Sequence, residues 1–344
     1  MNRISFALAA AVLLAGAAAA AAQDSVRTTS TVMTGNLTQM SPQEVVVERA
    51  GMTRTLPANE IVSITFANEP AQLRSARAAV TNGRFEEALK VLDGMNVGNI
   101  GRAEVRQEIE YLGALAAARL ALAGRGDVAA AGTRMTQFVT RNPQHYRFIE
   151  GNLLVGDLLV AMERFEAART YYAAAAEAAP SPDLSLRAEV AAAGALLAEG
   201  RADEALSAFD RVLAVEGENE ALEAERATAT LGRARALAEQ DRPDEAVALV
   251  EKLLDGVDAE DRELNARAYN ALGTAHRKAG RTSEALLAFL HVDILFPNSP
   301  EAHAEALANL VELWEEVRRS DRAAEARQVL RQRYENSRFA QQVL

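Results

Sequence analysis

Four histidines are the side chains best suited to acid–base or metal chemistry in this 344-residue chain, and they are His145, His276, His291 and His303. No two of them stand four residues apart, and the His-Glu-x-x-His pattern that places zinc and a general base on one helix face is missing. The chain also has no cysteine, so it offers no thiolate nucleophile, disulfide or cysteine-based metal site. We therefore expect no metal.

Other motifs of catalysis are also missing from the sequence. Gly124-Arg125-Gly126 lacks the Gly-Lys-Ser/Thr ending of a phosphate loop, and there is no Gly-x-Ser-x-Gly elbow. Glu315 and Glu316 are typical of the acidic pairs, and neighbours on a helix do not face each other, so such pairs indicate a solvated surface. The sequence predicts no enzyme and no cofactor; catalysis would require a polar cluster assembled from distant parts of the chain.

The charge balance bears on possible partners. With 37 basic and 48 acidic residues the formal net charge is −11. An acidic chain gains no counterion release from nucleic acid and is not attracted to anionic lipid. We expect protein or peptide partners and no nucleic acid.

The first residues, MNRISFALAAAVLLAGAAAAAAQDS, have the pattern of a secretory signal peptide. Arg3 is the positive residue, an apolar stretch follows, and Ala20-x-Ala22 offers a small-residue cleavage site. An uncleaved anchor is the alternative, because residues 4–22 carry no charge. We predict a signal peptide over residues 1–22 and an exported protein, periplasmic or secreted, with no membrane span after cleavage. Loss of Arg3 takes the net charge to −12.

Residues 23–70 have the composition of a small β-rich module. Short runs rich in Thr and Val, such as QEVVVER and EIVSITF, alternate with turn signals such as Thr34-Gly35-Asn36 and Ser41-Pro42. Four or five strands are expected, and their order resembles a small SH3-like or Sm-like barrel. Two roles stay open: the module caps the first helical repeat, or it is a cell-envelope binding module for peptidoglycan or another ligand.

From residue 71 onward, apolar residues recur at helical spacing and a repeat is visible. A Gly-Arg turn or a variant of it precedes an alanine, and a bulky residue follows four positions later. These alanines are Ala88, Ala131, Ala168, Ala205, Ala246 and Ala285, at intervals of 43, 37, 37, 41 and 39 residues, with a seventh unit near Ala323. Glycines at 156, 194, 232 and 273 precede them. Two helices joined by a tight turn form such a unit, and only small residues fit where the backbones approach closely.

One copy of the repeat, Tyr269, Leu272-Gly273, Ala285, Phe289 and Pro297, resembles the tetratricopeptide repeat motif. The resemblance implies a mainly α fold, an α-α superhelical solenoid of about seven hairpins over residues 71–344. A second likeness, between residues 296–302 and 334–340, is similar to exported bacterial repeat proteins that act as adaptors in the cell envelope. In the repeat frame we expect His276 to be partly buried, and His291 and His303 to be exposed.

In the tetratricopeptide family the first helix of each unit lines a concave groove. The positions in this sequence that this resemblance places in the groove are Arg226, Arg233, Asn270, Thr274, Arg277 and Lys278. Their cations would suit an acidic peptide or a free C-terminus. The alternative is that these cations pair with glutamates of neighbouring units.

The sequence as a whole predicts an exported, non-enzymatic scaffold that binds protein or peptide partners along the groove. The alternative is binding by residues 24–70, with the solenoid as a spacer.

Overall fold

The structure is a computed structural model that describes residues 22–217 and 219–343. The predicted signal peptide, apart from Ala22, lies outside the described residues. The predicted fold class is confirmed, because a small antiparallel sheet precedes a tetratricopeptide-like helical solenoid.

The sheet has five antiparallel strands in the order β4-β3-β2-β1-β5. The strands are β1 Asp24–Thr28, β2 Val32–Met40, β3 Glu44–Arg49, β4 Met52–Pro57 and β5 Ile61–Thr65. In β3 the alternation seen in the sequence is confirmed, because Val45 and Val47 are buried while Val46 is half-buried between them. One face of the sheet is therefore apolar and packs inward.

Fifteen helices follow in the described residues. Their bounds are α1 Ala71–Thr81, α2 Phe85–Asp93, α3 Ala103–Leu122, α4 Val128–Arg141, α5 Phe148–Ala161, α6 Phe165–Ala178, α7 Pro182–Ala198, α8 Ala202–Leu213, α9 Glu220–Glu239, α10 Pro243–Leu254, α11 Arg262–Lys278, α12 Thr282–Leu295, α13 Pro300–Glu316, α14 Ser320–Arg333 and α15 Arg338–Val343. Consecutive helices pack as seven hairpins from α1/α2 to α13/α14, and α15 packs against α13.

The recurring Gly-Arg turn ends the first helix of a hairpin. Gly83, Gly200 and Gly280 have φ values of +69°, +82° and +71°, a conformation that glycine adopts without a Cβ penalty. The following arginine N–H reaches back to the helix, as Arg201 does to the carbonyl of Leu196 at 2.9 Å. The turn thus satisfies helix-end carbonyls that would otherwise lack donors.

The small residues of the repeat lie between helices as predicted. Ala168, Ala205 and Ala285 are completely buried. Because alanine has only a methyl group, it allows the helices on either side to approach closely. The stacking of hairpins on small side chains is confirmed.

Large aromatic residues cover three of the four repeat glycines. A Cβ at Gly156 would lie 2.2 Å from Tyr172, and Cβ atoms at Gly232 and Gly273 would collide with the rings of Phe209 and Phe289.

The prediction that helix backbones approach closely at the glycine of every unit was wrong for Gly194. Nothing lies within 4 Å of a Cβ placed on Gly194. Phe209 packs on Gly232 of the next hairpin rather than on Gly194 of its own, so no aromatic ring covers Gly194.

Two ion pairs whose acids are buried connect the β module to the first helices. The Arg102 guanidinium donates to both carboxylate oxygens of Asp24 at 2.6 and 2.9 Å. The Arg77 guanidinium donates to both carboxylate oxygens of Glu69 at 2.8 and 2.9 Å, and its Nε lies 3.4 Å from Glu108. The apolar core of the sheet continues into that of α1 to α7, so module and solenoid share one core.

The end of the solenoid returns to its beginning. The N–H of Asn336 donates to the carbonyl of Gly124, in the turn between α3 and α4, at 3.3 Å. A Cβ on Gly124 would lie 3.0 Å from the Cα of Tyr334. We call this junction of residues 334–337 with Gly124 the closure contact.

A buried histidine holds the closure contact in place. His303 Nδ1 lies 2.7 Å from the Tyr334 hydroxyl, and its Nε2 lies 2.9 Å from Asp293. His303 is 2% exposed, so the prediction of a surface position was wrong. The prediction considered only the position of His303 in the joint between helices. It did not include Tyr334, which covers the histidine. The predictions for the other two hold, since His276 is partly buried and His291 is exposed.

Candidate functional site

The solenoid contains a cavity of about 660 Å³. Its lining includes the C-terminal ends of α3 and α5 and the first two turns of α7, α11 and α13. Residues 336–339, just beyond the closure contact, complete the wall. We call it the arginine cavity, after the five arginines in its lining.

Five arginines line this cavity, and the side chains of three of them have no ion-pair or hydrogen-bond partner among residues 22–217 and 219–343. The three are Arg119 on α3, Arg187 on α7 and Arg267 on α11. Arg125 and Arg338 are paired with Glu86 and Glu301.

The cavity therefore differs in charge from the chain as a whole. Its five arginines face three acids, Asp157, Glu263 and Glu301, so the lining carries a formal charge of +2 in a chain of net charge −11. Such a local inversion of sign attracts anions.

Asp157 on α5 is the acid of the cavity lining whose charge interacts with Arg119 and Arg187. Outside the lining, Glu150 also interacts with Arg119 and Arg187, and Glu225 interacts with Arg187 and Arg267. The Asp157 carboxylate accepts a hydrogen bond from the Tyr172 hydroxyl at 2.8 Å. Burial raises the pKa of the Asp157 carboxyl to about 6, against the opposing effects of Tyr172, Arg119 and Arg187. Asp157 therefore changes charge close to neutral pH.

Apolar side chains complete the lining, among them Phe85, Leu122, Val128, Val160 and Phe339. A cavity of this size with apolar walls and a few charged groups has the character of a binding site for a small ligand or a peptide segment.

The four cations predicted to line the groove all have partners within the chain. Arg233 Nε lies 2.7 Å from Asp210, Lys278 Nζ lies 2.6 Å from Glu239, and Arg277 contacts Glu312 at 2.5 Å. Arg226 donates to the carbonyl of Gly217 at 2.8 Å and also pairs with Glu223. Arg277 and Lys278 pair with glutamates of neighbouring hairpins, as in the alternative left open by the sequence. Arg233 pairs with an aspartate of the preceding hairpin, and Arg226 pairs within its own helix.

The two neutral residues of the predicted set lie together. Asn270 is completely buried and donates to the carbonyl of Ala302 on α13 at 2.8 Å. The Thr274 hydroxyl donates to the Asn270 carbonyl at 2.9 Å. The structure places Asn270 between helices, and none of the six predicted residues lines the arginine cavity. Partner binding by these six residues stays a prediction.

The sequence contained a signal for only one of the unpaired arginines. Arg119 stands in the run LAAARLALA, with no acid within four positions to pair with it along the helix. Arg187 and Arg267 each have an acid four residues earlier, at Asp183 and Glu263, so they looked neutralised. Only the curvature of the solenoid brings the three together.

Within the described part of the chain no three His, Asp or Glu residues are grouped as a metal site. No helix between Ala22 and Val343, Glu218 excepted, has the length and apolar character required to cross a bilayer.

The sequence of the hairpins matches a known repeat. Two family models described as tetratricopeptide repeat match residues 153–221 and 225–292. Those segments are tetratricopeptide repeats. The first segment runs from within α5 to the start of α9, and the second runs from within α9 to near the end of α12. Together they contribute Asp157, Arg187 and Arg267 to the cavity.

Solved structures with the same fold include three bacterial proteins. A tetratricopeptide repeat protein from Parabacteroides merdae has a TM-score of 0.55 at 15% identity, over 79% of this chain and 96% of that chain. The apo quorum sensor NprR from B. thuringiensis has a TM-score of 0.54 at 14% identity, over 76% and 74%. The Rap conjugation gene regulator of plasmid pLS20, solved with the Phr* peptide, has a TM-score of 0.51 at 15% identity, over 77% and 75%. At these identities the likeness shows the fold alone. No curated protein sequence matches the chain.

Proposed function

We propose that this protein is an exported, non-enzymatic scaffold that binds an acidic peptide or protein segment in the arginine cavity. The convergence of Arg119, Arg187 and Arg267 on one cavity carries the proposal. Guanidinium groups without a carboxylate partner are available for bidentate bonds to the carboxylates of a ligand.

A peptide suits the cavity better than a small inorganic anion. The lining combines cations with apolar side chains over a volume of about 660 Å³, large enough for several residues of a chain. The pLS20 regulator, which shares the fold, was solved in complex with a peptide, which supports the same class of ligand here.

The absence of catalysis is part of the proposal. The arrangement nearest to a nucleophile and a base in the cavity is the Tyr172 hydroxyl with Asp157. Burial, together with the charge of Asp157, raises the pKa of Tyr172, so the phenolate is disfavoured. This pair stabilises the wall rather than providing a nucleophile.

Export is proposed from the sequence of residues 1–22 alone. The protein isolated from the envelope fraction of its native cell should begin at Gln23, as read by intact mass. A chain that retains residues 1–22 would contradict cleavage.

The binding proposal is tested with fluorescein-labelled hexaglutamate, and with hexalysine as the probe of opposite charge. Reversing two cations, Arg187→Glu with Arg267→Glu, should weaken hexaglutamate binding at least tenfold, about 1.4 kcal/mol, measured by fluorescence anisotropy. Arg211→Glu with Arg331→Glu changes two exposed arginines outside the cavity by the same charge and is the matched control.

A second variant tests whether the peptide binds in the arginine cavity or at the groove residues predicted from the sequence. Arg233→Glu with Arg277→Glu should leave hexaglutamate affinity within twofold of the control variant, because both cations are already paired. If this variant loses binding while the Arg187/Arg267 variant keeps it, the site is the predicted groove set and not the arginine cavity.

A further inference from the structure

A second cavity, of about 340 Å³, lies at the seam between the β module and the solenoid. The last four residues of β2 form one wall, and the first turns of α3 form another. Residues 141–145, which join α4 to α5, form the third. This seam cavity shares no lining residue with the arginine cavity.

The wall contributed by β2 is a strand edge. β1 pairs with β2 only as far as Asp24 opposite Gly35, whereas β2 continues to Met40. Beyond Gly35, β2 pairs with β3 alone, and the register shifts around Thr38. Within residues 22–217 and 219–343, no strand pairs with Thr38–Met40 on the side away from β3. An unpaired edge offers main-chain donors and acceptors to an added strand.

The edge is open to an incoming chain. Thr38 and Gln39 are exposed, which places this part of the strand at the surface of the protein. The Leu37 N–H already donates to Asp24 Oδ2 at 2.8 Å, so the free edge is Thr38–Met40. Three residues of strand span roughly 10 Å at about 3.3 Å per residue, which matches about three residues of a partner.

The walls opposite the edge have unused hydrogen-bonding groups. Gln107 and Gln144 have no side-chain hydrogen bond to any other described residue, and neither has Arg141. His145 is 1% exposed, and its Nε2 lies 4.0 Å from the buried Glu108 carboxylate, so this nitrogen is not available to a ligand. Its Nδ1 accepts from the Arg147 N–H at 3.2 Å, so the ring proton is on Nε2.

Charge selects the kind of segment that fits. Arg141 and Glu104 are the charged residues of the lining other than the buried His145, whose pKa burial lowers to about 3 and which is therefore neutral. Glu104 is engaged by Arg102 at 3.3 Å. Arg141 has no acid partner among the described residues, so a carboxylate on the ligand complements it.

We propose that the seam cavity binds an extended peptide segment of about three residues, which adds a strand to the free edge of β2 and places a carboxylate against Arg141. The site is independent of the arginine cavity. Main-chain hydrogen bonds would supply affinity, and Arg141 would supply selectivity.

The probe for this site is acetyl-Thr-Val-Thr-Glu with a fluorescent label, because β-branched residues favour the extended conformation. The full chain should bind it saturably with a Kd below about 1 mM. The same peptide methylated on the valine and glutamate nitrogens keeps its side chains but loses main-chain donors, and it should bind at least tenfold more weakly. Equal binding of the two peptides, or no saturation by the first, would overturn strand addition.

Protein variants locate the site. Arg141→Glu should weaken probe binding at least tenfold, and Arg211→Glu, which changes an exposed arginine outside both cavities, should leave it unchanged. The Arg187→Glu/Arg267→Glu variant should also bind the tetrapeptide normally, so a failure of the seam site is distinguishable from a failure of the arginine cavity. Amide exchange at Thr38–Met40 should slow with bound probe; unchanged exchange there would contradict the assignment.

Discussion

Asp157 is surrounded by groups that bear on its charge. Arg119 and Arg187 favour its ionised form, whereas burial and Glu301 oppose it, and Tyr172 donates to it. With its pKa raised to about 6, the carboxyl is ionised at pH 7.5 and mostly protonated at pH 5.5. The arginine cavity therefore becomes more positive as the pH falls through 6.

We expect hexaglutamate to bind about fivefold more tightly at pH 5.5 than at pH 7.5, because protonation removes about 1 kcal/mol of repulsion from a nearby like charge. Asp157→Asn should bind at pH 7.5 as tightly as the unchanged protein does at pH 5.5, and its affinity should not vary between the two. Fluorescence anisotropy at both pH values measures this. Asp255→Asn, an exposed position outside the cavity, is the control; a pH dependence that persists in Asp157→Asn would assign it to another group.

Aromatic rings packed on glycines set the spacing of several helix pairs in this solenoid. At Gly156, Gly232 and Gly273 an aromatic ring occupies the place of a Cβ, at 2.2, 2.2 and 2.7 Å from its nearest ring atom. Alanine at any of these positions forces the ring or the helix to move, which costs about 1–3 kcal/mol of unfolding free energy. Urea denaturation followed by circular dichroism at 222 nm measures the loss.

Gly194 also lies on the first helix of a hairpin, but no aromatic ring packs on it. Because nothing lies within 4 Å of a Cβ there, Gly194→Ala should stabilise the protein by about 0.5–1 kcal/mol through helix propensity alone. If Gly194→Ala destabilises the protein as much as Gly156→Ala does, the packing of Phe209 on the following hairpin is wrong.

The helices and strands could be predicted because their signals are local. Turn glycines, buried alanines such as Ala168 and the alternation of Val45 to Val47 each reflect neighbours a few residues away in the chain. The site could not be predicted in the same way. Arg119, Arg187 and Arg267 are far apart in sequence and meet only through the accumulated rotation of successive hairpins, which no local pattern specifies.

The side-chain contacts between helices also could not be predicted from the sequence. Arg233 and Lys278 are cations on the first helices of their hairpins, as expected, but their acids are 23 and 39 residues away, at Asp210 and Glu239. His303 was misjudged for the same reason, since the tyrosine that buries it is 31 residues later, at position 334.

At the scale of the molecule, the closure contact joins the end of the array to the turn between α3 and α4. The chain has no cysteine, so Arg125→Cys and Glu335→Cys can be labelled with a dye pair without interference. We expect efficient energy transfer, because Asn336 contacts Gly124 directly. The Tyr334→Ala variant, which removes the ring held by His303, should lower the transfer efficiency; low efficiency in the otherwise unchanged chain would show that the ends do not meet.

A stack of identical units can in principle continue in both directions, and such proteins need something to stop them. Here the sheet covers the first hairpin, and the last hairpin meets the turn between α3 and α4. A chain with one hairpin fewer would lack the residues that meet Gly124 in this structure. We expect these two contacts to hinder end-to-end polymerisation, because they occupy surfaces against which a second molecule would have to pack.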